Sequence, residues 1–264
     1  MAEKEMTFWE HLDELRRVIF HSLIVLLVVF IALFFCKDFL FNTIIFAPTK
    51  SDFYLYGLIS SLSQSLGGKP LEPFNLNIIN IELAAQFFLH ISTTFYFALV
   101  ISMPFIFYKL WTFVSPALYP KEKAAVRRAF AFAGFLFYIG VAVGYFLVFP
   151  LTIRFLGTYY VSESVPNQIA LRSYISMFVS LIFIMGIVFE LPSLAAILSR
   201  LGIITKELLK KYRRHAFVVL MIAAAIITPS GDPFTLMAVG LPLYALYEVS
   251  IAVCKNRRKE DDNS

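Results

Sequence analysis

Long, uninterrupted runs of apolar residues constrain the fold of this chain more than any other feature. A helix needs about 20 apolar residues to cross the hydrocarbon core of a bilayer, which is roughly 30 Å thick. Six such runs occur, at residues 18–35, 83–108, 129–149, 174–198, 216–228 and 234–253. With 59% hydrophobic and only 16% charged residues in 264, no separate soluble domain fits beside them. The sequence therefore predicts an all-α membrane protein with six transmembrane helices.

Lysine and arginine are distributed unevenly between the two sides of this predicted bundle. An even number of crossings puts both termini on one side, and 18 of the 23 Lys and Arg residues fall in the four segments on that side. Because short cytoplasmic loops are enriched in bases, both termini are predicted to be cytoplasmic. The bases are dispersed over four segments, which does not favour nucleic-acid binding. The single predicted domain comprises a cytoplasmic segment 1–17, a bundle 18–253 and a cytoplasmic tail 254–264.

The fifth run contains only 13 residues before Pro229, which corresponds to about 20 Å of helix. We therefore expect a short fifth helix, and a short sixth helix after it. Either the membrane is locally thinned there, or protein and the long side chains of Arg213 and Arg214 cover the helix ends. Alternatively, Pro229 only kinks one longer helix.

The first outer loop, residues 36–82, is the only long one. Within it, apolar residues recur at helical spacing, at Leu55, Leu58, Ile59, Leu62 and Leu66. Serines and a glutamine separate them, a pattern that predicts an amphipathic helix on the outer leaflet. The Gly-Gly-Lys-Pro sequence at 67–70 is expected to end this helix.

Two cytoplasmic segments contain acids where bases are expected. Residues 10–17 read Glu-His-Leu-Asp-Glu-Leu-Arg-Arg, and residues 111–122 form an aromatic stretch with two prolines that ends in Glu122. The acids of the first segment could receive a cationic partner, or they could simply complement the dipole at a solvated helix start. The second segment taken alone could be an ordinary interfacial aromatic belt.

Glu190 is an ionisable residue inside the fourth run, expected near the outer half of that helix. A carboxylate in a bilayer costs a few kcal/mol, so Glu190 should face a polar groove or a partner helix. The alternative is a carboxyl group hydrogen-bonded within the bundle. A secondary transporter using Glu190 as a proton or cation site is the main rival function. Such transporters contain repeated halves with broken helices, which six unlike helices do not show.

Enzymatic signatures are missing from the sequence. The only Gly-Lys pair, at 68–69, lacks the earlier glycine of a phosphate-binding loop, and neither His-Glu-x-x-His nor Gly-x-Ser-x-Gly occurs. We therefore predict no catalytic residue, no cofactor and no metal ligand.

The order of several short motifs along the whole chain resembles the TatC family. These are His-Leu-x-Glu-Leu-Arg before the first run, Trp-x-Phe-x-x-Pro-x-Leu-Tyr-x-x-Glu after the second, and Phe-Glu-Leu-Pro at 189–192. Further matches are Phe-Tyr-Ile-Gly at 137–140, Phe-Pro at 149–150, Leu-Gly-Ile-Ile at 201–204, Thr-Pro at 228–229 and Tyr-Glu at 247–248. The chain departs from the pattern at Val18, where many members carry another base.

The resemblance implies a receptor for the twin-arginine signal peptides of folded proteins in the bacterial cytoplasmic membrane. It would work in homo- and hetero-oligomers with the single-helix proteins TatA and TatB, driven by the proton-motive force. The family's signal-peptide surface corresponds to Glu14, Arg16, Phe113, Pro116, Leu118, Tyr119 and Glu122. By the same resemblance, Glu190 and Glu248 would contact a partner helix, and Pro48 and Asp232 would have structural roles on the outer face.

Overall fold

The computed structural model describes residues 8–70, 73–74, 76–117, 120–162, 164, 167–228 and 232–254, most of which are helical. The α-helices of this part of the chain are α1 (Phe8–Phe35), α2 (Tyr54–Ser65), α3 (Ala85–Val114), α4 (Pro120–Val143), α5 (Phe149–Thr158), α6 (Leu171–Val188), α7 (Leu191–Arg200), α8 (Lys206–Lys211), α9 (Arg213–Ile227) and α10 (Pro233–Val253). Two short strands, β1 (Ile78–Ile79) and β2 (Ile169–Ala170), and short π-helical and 3₁₀ turns make up the rest of the regular structure of the described residues.

Five helical stretches are long and apolar enough to cross a membrane. They are Trp9–Phe35, Ala85–Val114, Val126–Thr158, Leu171–Arg200 and Pro233–Val253, corresponding to every apolar run except the fifth. The fifth run forms α9, whose 15 residues extend only about 22 Å, so its predicted shortness is confirmed. The prediction of a short sixth helix is wrong. Pro233 occupies the first turn, where no N–H donor is needed, and α10 then continues for 21 residues, about 31 Å.

Helices α9 and α10 are separate elements that pack against each other. The backbone leaves the helical conformation at Thr228, with φ −82° and ψ 113°, and α10 starts at Pro233. Gly240 of α10 lies so close to Met221 of α9 that an added Cβ would come within 2.5 Å of its Cε atom. The alternative of one helix kinked by Pro229 is therefore wrong, although Pro229 itself lies outside the described residues.

Two of the long spans are irregular at prolines. In the third span, a π-helical turn at Gly144–Val148 joins α4 to α5 immediately before Pro150. Proline has no N–H and clashes with the preceding helical turn, and a wider turn accommodates both effects. In the fourth span, α6 ends at Val188 and α7 begins at Leu191, with Pro192 in its first turn. Glu190 lies at this break.

The bundle has two distinct ends. At one, the start of α1 meets the end of α3, and Arg213 at the start of α9 meets Glu248 near the end of α10. We call this the near end. At the other, which we call the far end, the ring of Phe34 stacks on His90 at 4.3 Å. The loop between α1 and α3 and the loop between α5 and α6 lie at the far end.

The far-end loops are tied to the bundle by backbone and tyrosine hydrogen bonds. Strands β1 and β2 pair in parallel, with Ile78 opposite Ile169. The Tyr174 hydroxyl donates to the carbonyl of Ile45 at 2.6 Å, and Tyr145 donates to that of Ile44 at 2.9 Å. Helix α2 confirms the predicted amphipathic helix of the loop. It ends just before Gly67, whose φ of 79° suits glycine.

The core of the bundle is aromatic and contains close helix crossings. Phe149, Tyr174 and Phe178 are almost fully buried, and the Phe149 and Phe178 rings meet edge to face at 4.9 Å. Helices α4 and α6 approach closely at Gly140, where an added Cβ would lie 2.5 Å from the carbonyl oxygen of Met185. Small residues allow such approaches between membrane helices.

Candidate functional site

The two cytoplasmic motifs meet at the near end through a stacked ring pair. The imidazole of His11, at the end of the first turn of α1, lies 4.3 Å from the Phe113 ring in the last turn of α3, and the two planes are 21° apart. Both side chains are only partly buried. The segments 10–17 and 111–117 therefore form one continuous surface at this end of the bundle.

Glu14 belongs to the same face of α1 as His11. It lies three residues further along the helix, and residues at this spacing are neighbours on a helix surface. Its carboxylate is 3.9 Å from the Arg17 guanidinium, and the side chain is 31% exposed. A pair at this distance between partly exposed side chains contributes little energy, so the carboxylate remains available to another cation. Arg16 is exposed beside this face.

The second motif changes from α-helix to a tighter turn next to Phe113. Helix α3 ends at Val114, and a 3₁₀ turn, Ser115–Ala117, presents Pro116 as an exposed residue. The Trp111 ring packs on Phe130 of α4 at 5.8 Å, which holds the two helices together at this point. Of the remaining predicted site, Leu118 and Tyr119 lie outside the described residues. Glu122 is described only by its backbone, in the first turn of α4.

Glu190 is half-buried at the break between α6 and α7. Its Oε1 atom is shielded from solvent and has no hydrogen-bond partner among the described residues, and Ser193 is the neighbouring polar group. With both termini cytoplasmic, as predicted, the near end is the inner one, so Glu190 does not lie in the expected outer half of the helix. Glu190 lies 19 residues from the start of the span Leu171–Arg200 and 10 from its end, hence nearer the near end. Pro192 breaks the helix there, about 15 Å from that end.

Glu248 has a partner within the chain. Its Oε2 atom lies 2.6 Å from the Arg213 guanidinium, and the neighbouring Tyr247 hydroxyl donates to the carbonyl of Leu209 at 2.8 Å. These contacts fasten the start of α9 to the end of α10. The predicted contact of Glu248 with a partner helix stays a prediction. Such a helix would approach a carboxylate whose Oε2 atom already pairs with Arg213.

The two residues predicted to be structural on the outer face both make specific contacts at the far end. Pro48 is buried, and its carbonyl accepts a hydrogen bond from Tyr56 at 2.9 Å. Asp232 caps α10, accepting from the backbone N–H of Thr235 at 2.8 Å and from its hydroxyl. The Pro48 carbonyl and the Asp232 carboxylate thus each accept a hydrogen bond where the chain reverses direction.

Sequence reasoning missed two residues that organise these surfaces. His11 was visible within the first motif, and its helical spacing from Glu14 is the signal that it shares a face with that acid. The Arg154 guanidinium lies 4.8 Å from the Phe74 ring and 5.4 Å from the Tyr56 ring. No sequence pattern links Arg154 to these rings, because the contact is set by the tertiary fold.

Comparisons with known proteins identify the family. The family model of the Sec-independent protein translocase protein (TatC) matches residues 10–242. The TatC protein of Blattabacterium sp. subsp. Periplaneta americana is 37% identical over 255 residues, covering 95% of this chain and 96% of that protein. The TatC protein of Escherichia coli K12 is 31% identical, with 95% and 91% covered.

Solved structures agree with this assignment. The crystal structure of the twin arginine translocase receptor TatC in DDM has a TM-score of 0.74 and 28% identity, covering 93% of this chain and all of that one. A second crystal structure of that receptor has a TM-score of 0.67. By sequence and by fold the chain belongs to the TatC family: it is a multi-pass membrane subunit of the Tat protein translocase, acting with other Tat subunits and not as an enzyme.

Proposed function

We propose that this chain is the signal-peptide receptor of its translocase, and that the near end binds the paired arginines of twin-arginine signal peptides on folded proteins. The observation that carries the proposal is the stacking of His11 on Phe113, which joins the two acid-containing motifs into one surface. The solved relatives are themselves described as twin arginine translocase receptors, which supports the same role here.

The chemistry of the ligand explains why two acids are needed. An arginine guanidinium is planar and forms forked, charge-assisted hydrogen bonds with one carboxylate, so two arginines require two carboxylates. Glu14 and Glu122 provide them, and Arg16 flanks the first acid. Because exposed ion pairs contribute under about 1 kcal/mol each, apolar contact must add affinity. Phe113 and Pro116 supply that contact, together with Leu118 and Tyr119.

The orientation that fits this role has the near end in the cytoplasm of a bacterial cell, with α9 as a sixth, short crossing. The segments at the near end contain 18 of the 23 Lys and Arg residues, the bias typical of cytoplasmic loops. Signal peptides are made in the cytoplasm, so the receptor surface must face that side.

Recruitment of TatA and TatB is assigned to Glu190. A carboxylate oxygen shielded from solvent without a hydrogen-bond partner in the described part of the chain is costly, and a polar group on a partner helix would relieve that cost. Export would use the proton-motive force, which supplies about 2.3 kcal/mol per charge per 100 mV.

Substitution of the two acids tests the receptor role. Glu14→Gln and Glu122→Gln remove a charge and keep the shape, so each should weaken binding of an Arg-Arg signal peptide by up to about fivefold. Asp13→Asn is the matched control, because Asp13 is exposed on the same helix next to Glu14. Binding is measured by fluorescence anisotropy of a labelled peptide, against a Lys-Lys version.

The apolar part of the surface is tested by Phe113→Ala. This variant should also bind the peptide less tightly, but with an unchanged salt dependence, because the ion pairs remain. If both glutamine variants bind the Arg-Arg peptide as tightly as the parent and discriminate equally against Lys-Lys, the receptor surface lies elsewhere.

A further inference from the structure

A second polar site lies at the far end, away from the signal-peptide surface and from Glu190. A cavity of about 480 Å³ opens there between the two residues before the π-helical turn Phe39–Ile45, that turn itself, the first turns of α3 and the first residue of α6. Five side chains that can carry charge or form hydrogen bonds line it, namely Lys37, Asp38, Asn42, Gln86 and His90. Aromatic rings, including that of Phe87, form the rest of the wall.

The polar groups of this cavity are not satisfied by one another. Lys37 and Asp38 are consecutive on a helical turn, and adjacent residues on a helix do not face each other. Within the described chain neither makes an ion pair or a side-chain hydrogen bond, and the same holds for the amides of Asn42 and Gln86. The Nε2 atom of His90 is shielded from solvent and likewise has no partner in the described residues.

The position of the cavity relates it to the membrane surface. It lies where α1 ends at Phe35 and α3 begins at Ala85, at the level of the helix ends where phospholipid headgroups meet the hydrocarbon core. Phe87 lines the cavity and is 60% exposed. Aromatic side chains at this level pack against the upper part of acyl chains.

We propose that this cavity binds the headgroup of a phospholipid that carries both a phosphate and a primary ammonium group, as phosphatidylethanolamine does. The Lys37 ammonium and the amide N–H groups of Asn42 and Gln86 donate to the phosphate oxygens. The Asp38 carboxylate accepts hydrogen bonds from the lipid ammonium.

Asp38 determines the headgroup selectivity. The headgroup of phosphatidylglycerol presents the same phosphate to Lys37, but it has no cation that could pair with the Asp38 carboxylate. A cavity with only bases would favour the anionic lipid. The juxtaposition of one cation and one anion favours the zwitterion.

The test uses the full chain, purified in detergent and titrated with dioleoyl-phosphatidylethanolamine or dioleoyl-phosphatidylglycerol, with bound lipid counted by native mass spectrometry. The parent should retain the ethanolamine lipid in preference. Asp38→Asn should reduce that preference about fivefold, the effect of one ion pair, and Lys37→Gln should reduce retention of both lipids. Both residues are exposed, so neither substitution should disturb folding.

Lys50→Gln and Asp52→Asn are the matched controls, because these exposed residues carry the same charges at the far end outside the cavity. They should leave lipid retention unchanged. Equal retention of the two lipids by the parent, or an unchanged preference in Asp38→Asn, would overturn the proposal. Soluble glycerophosphoethanolamine serves as a competitor, and displacement of the lipid at equal concentration would overturn the assignment to a membrane lipid.

Discussion

At the scale of single residues, Tyr56 connects three parts of the far end through one hydroxyl group. Its oxygen lies 2.9 Å from the carbonyl of Pro48 and 3.1 Å from that of Pro150, although Pro150 is 94 residues away in the chain. Burial raises the pKa of Tyr56, and the nearby Arg154 only partly opposes this effect. The hydroxyl therefore stays protonated and serves as the donor between the loop and the third span.

Tyr56→Phe should lower the free energy of unfolding by about 1–2 kcal/mol, because it leaves two buried carbonyl groups without their donor. The apparent melting temperature in detergent, followed by intrinsic fluorescence, measures the change. Tyr54→Phe is the control, since Tyr54 lies on the same helix with 73% of its surface exposed. A Tyr56→Phe protein as stable as the Tyr54→Phe protein would contradict this role.

Glu190 permits a second prediction at the residue scale, which rests on its unsatisfied carboxylate oxygen. Glu190→Ala should weaken site-specific crosslinking to a TatA or TatB helix while leaving signal-peptide binding nearly intact. The peptide surface at Phe113 and the break at Glu190 lie in different helices, so the two measurements are independent. Loss of peptide binding with normal partner crosslinking would reverse the assignment.

At the scale of elements, the close crossing of α4 and α6 depends on Gly140, which has no side chain. Gly140→Ala should destabilise the bundle by about 1–3 kcal/mol, because its Cβ would lie 2.5 Å from the Met185 carbonyl oxygen and cannot be accommodated by a rotamer change. Gly134→Ala, on the same helix, should be tolerated, since its Cβ would meet only Phe107 at 3.7 Å. Thermal unfolding measures the stability of the two variants. Equal stability would contradict this prediction, because it would show that the two helices can move apart to accept the methyl group.

The short helix α9 depends on its neighbour for its position. Its 15 residues are fewer than a bilayer requires, and Arg213 anchors its first turn to Glu248 of α10. The side chain of Arg213 is 47% exposed, so the ion pair also leaves the guanidinium accessible at the near end. The pair therefore sets the register of α9 against α10 more than it adds stability.

At the scale of the whole molecule, the proposed orientation can be tested with single cysteines in a background that lacks Cys36 and Cys254. Lys69→Cys should react with a membrane-impermeant maleimide added to intact spheroplasts, because residue 69 belongs to the far-end loop. Lys121→Cys should react only after the membrane is permeabilised. Labelling of residue 121 from outside would contradict the prediction that both termini are cytoplasmic.

The sequence by itself determined the features that depend on local composition. The length of each apolar run predicted where the spanning helices lie, the shortness of the fifth helix and the amphipathic helix α2, because helix formation and membrane burial depend on residues close in the chain. The acids and aromatic residues of the near end were also identifiable as a candidate site. The motifs identified these residues, but they did not show which of them are in contact.

Tertiary structure alone decided which of these residues meet. The stacking of His11 on Phe113, the hydrogen bond from Tyr174 to Ile45 across 129 residues, and the β1–β2 pair all join distant segments. Such contacts depend on how helices cross, and that in turn depends on small residues and on turns at prolines rather than on hydropathy. The break of the fourth span at Glu190 is likewise decided by the tertiary structure, since an apolar run specifies how long a span is but not where it breaks.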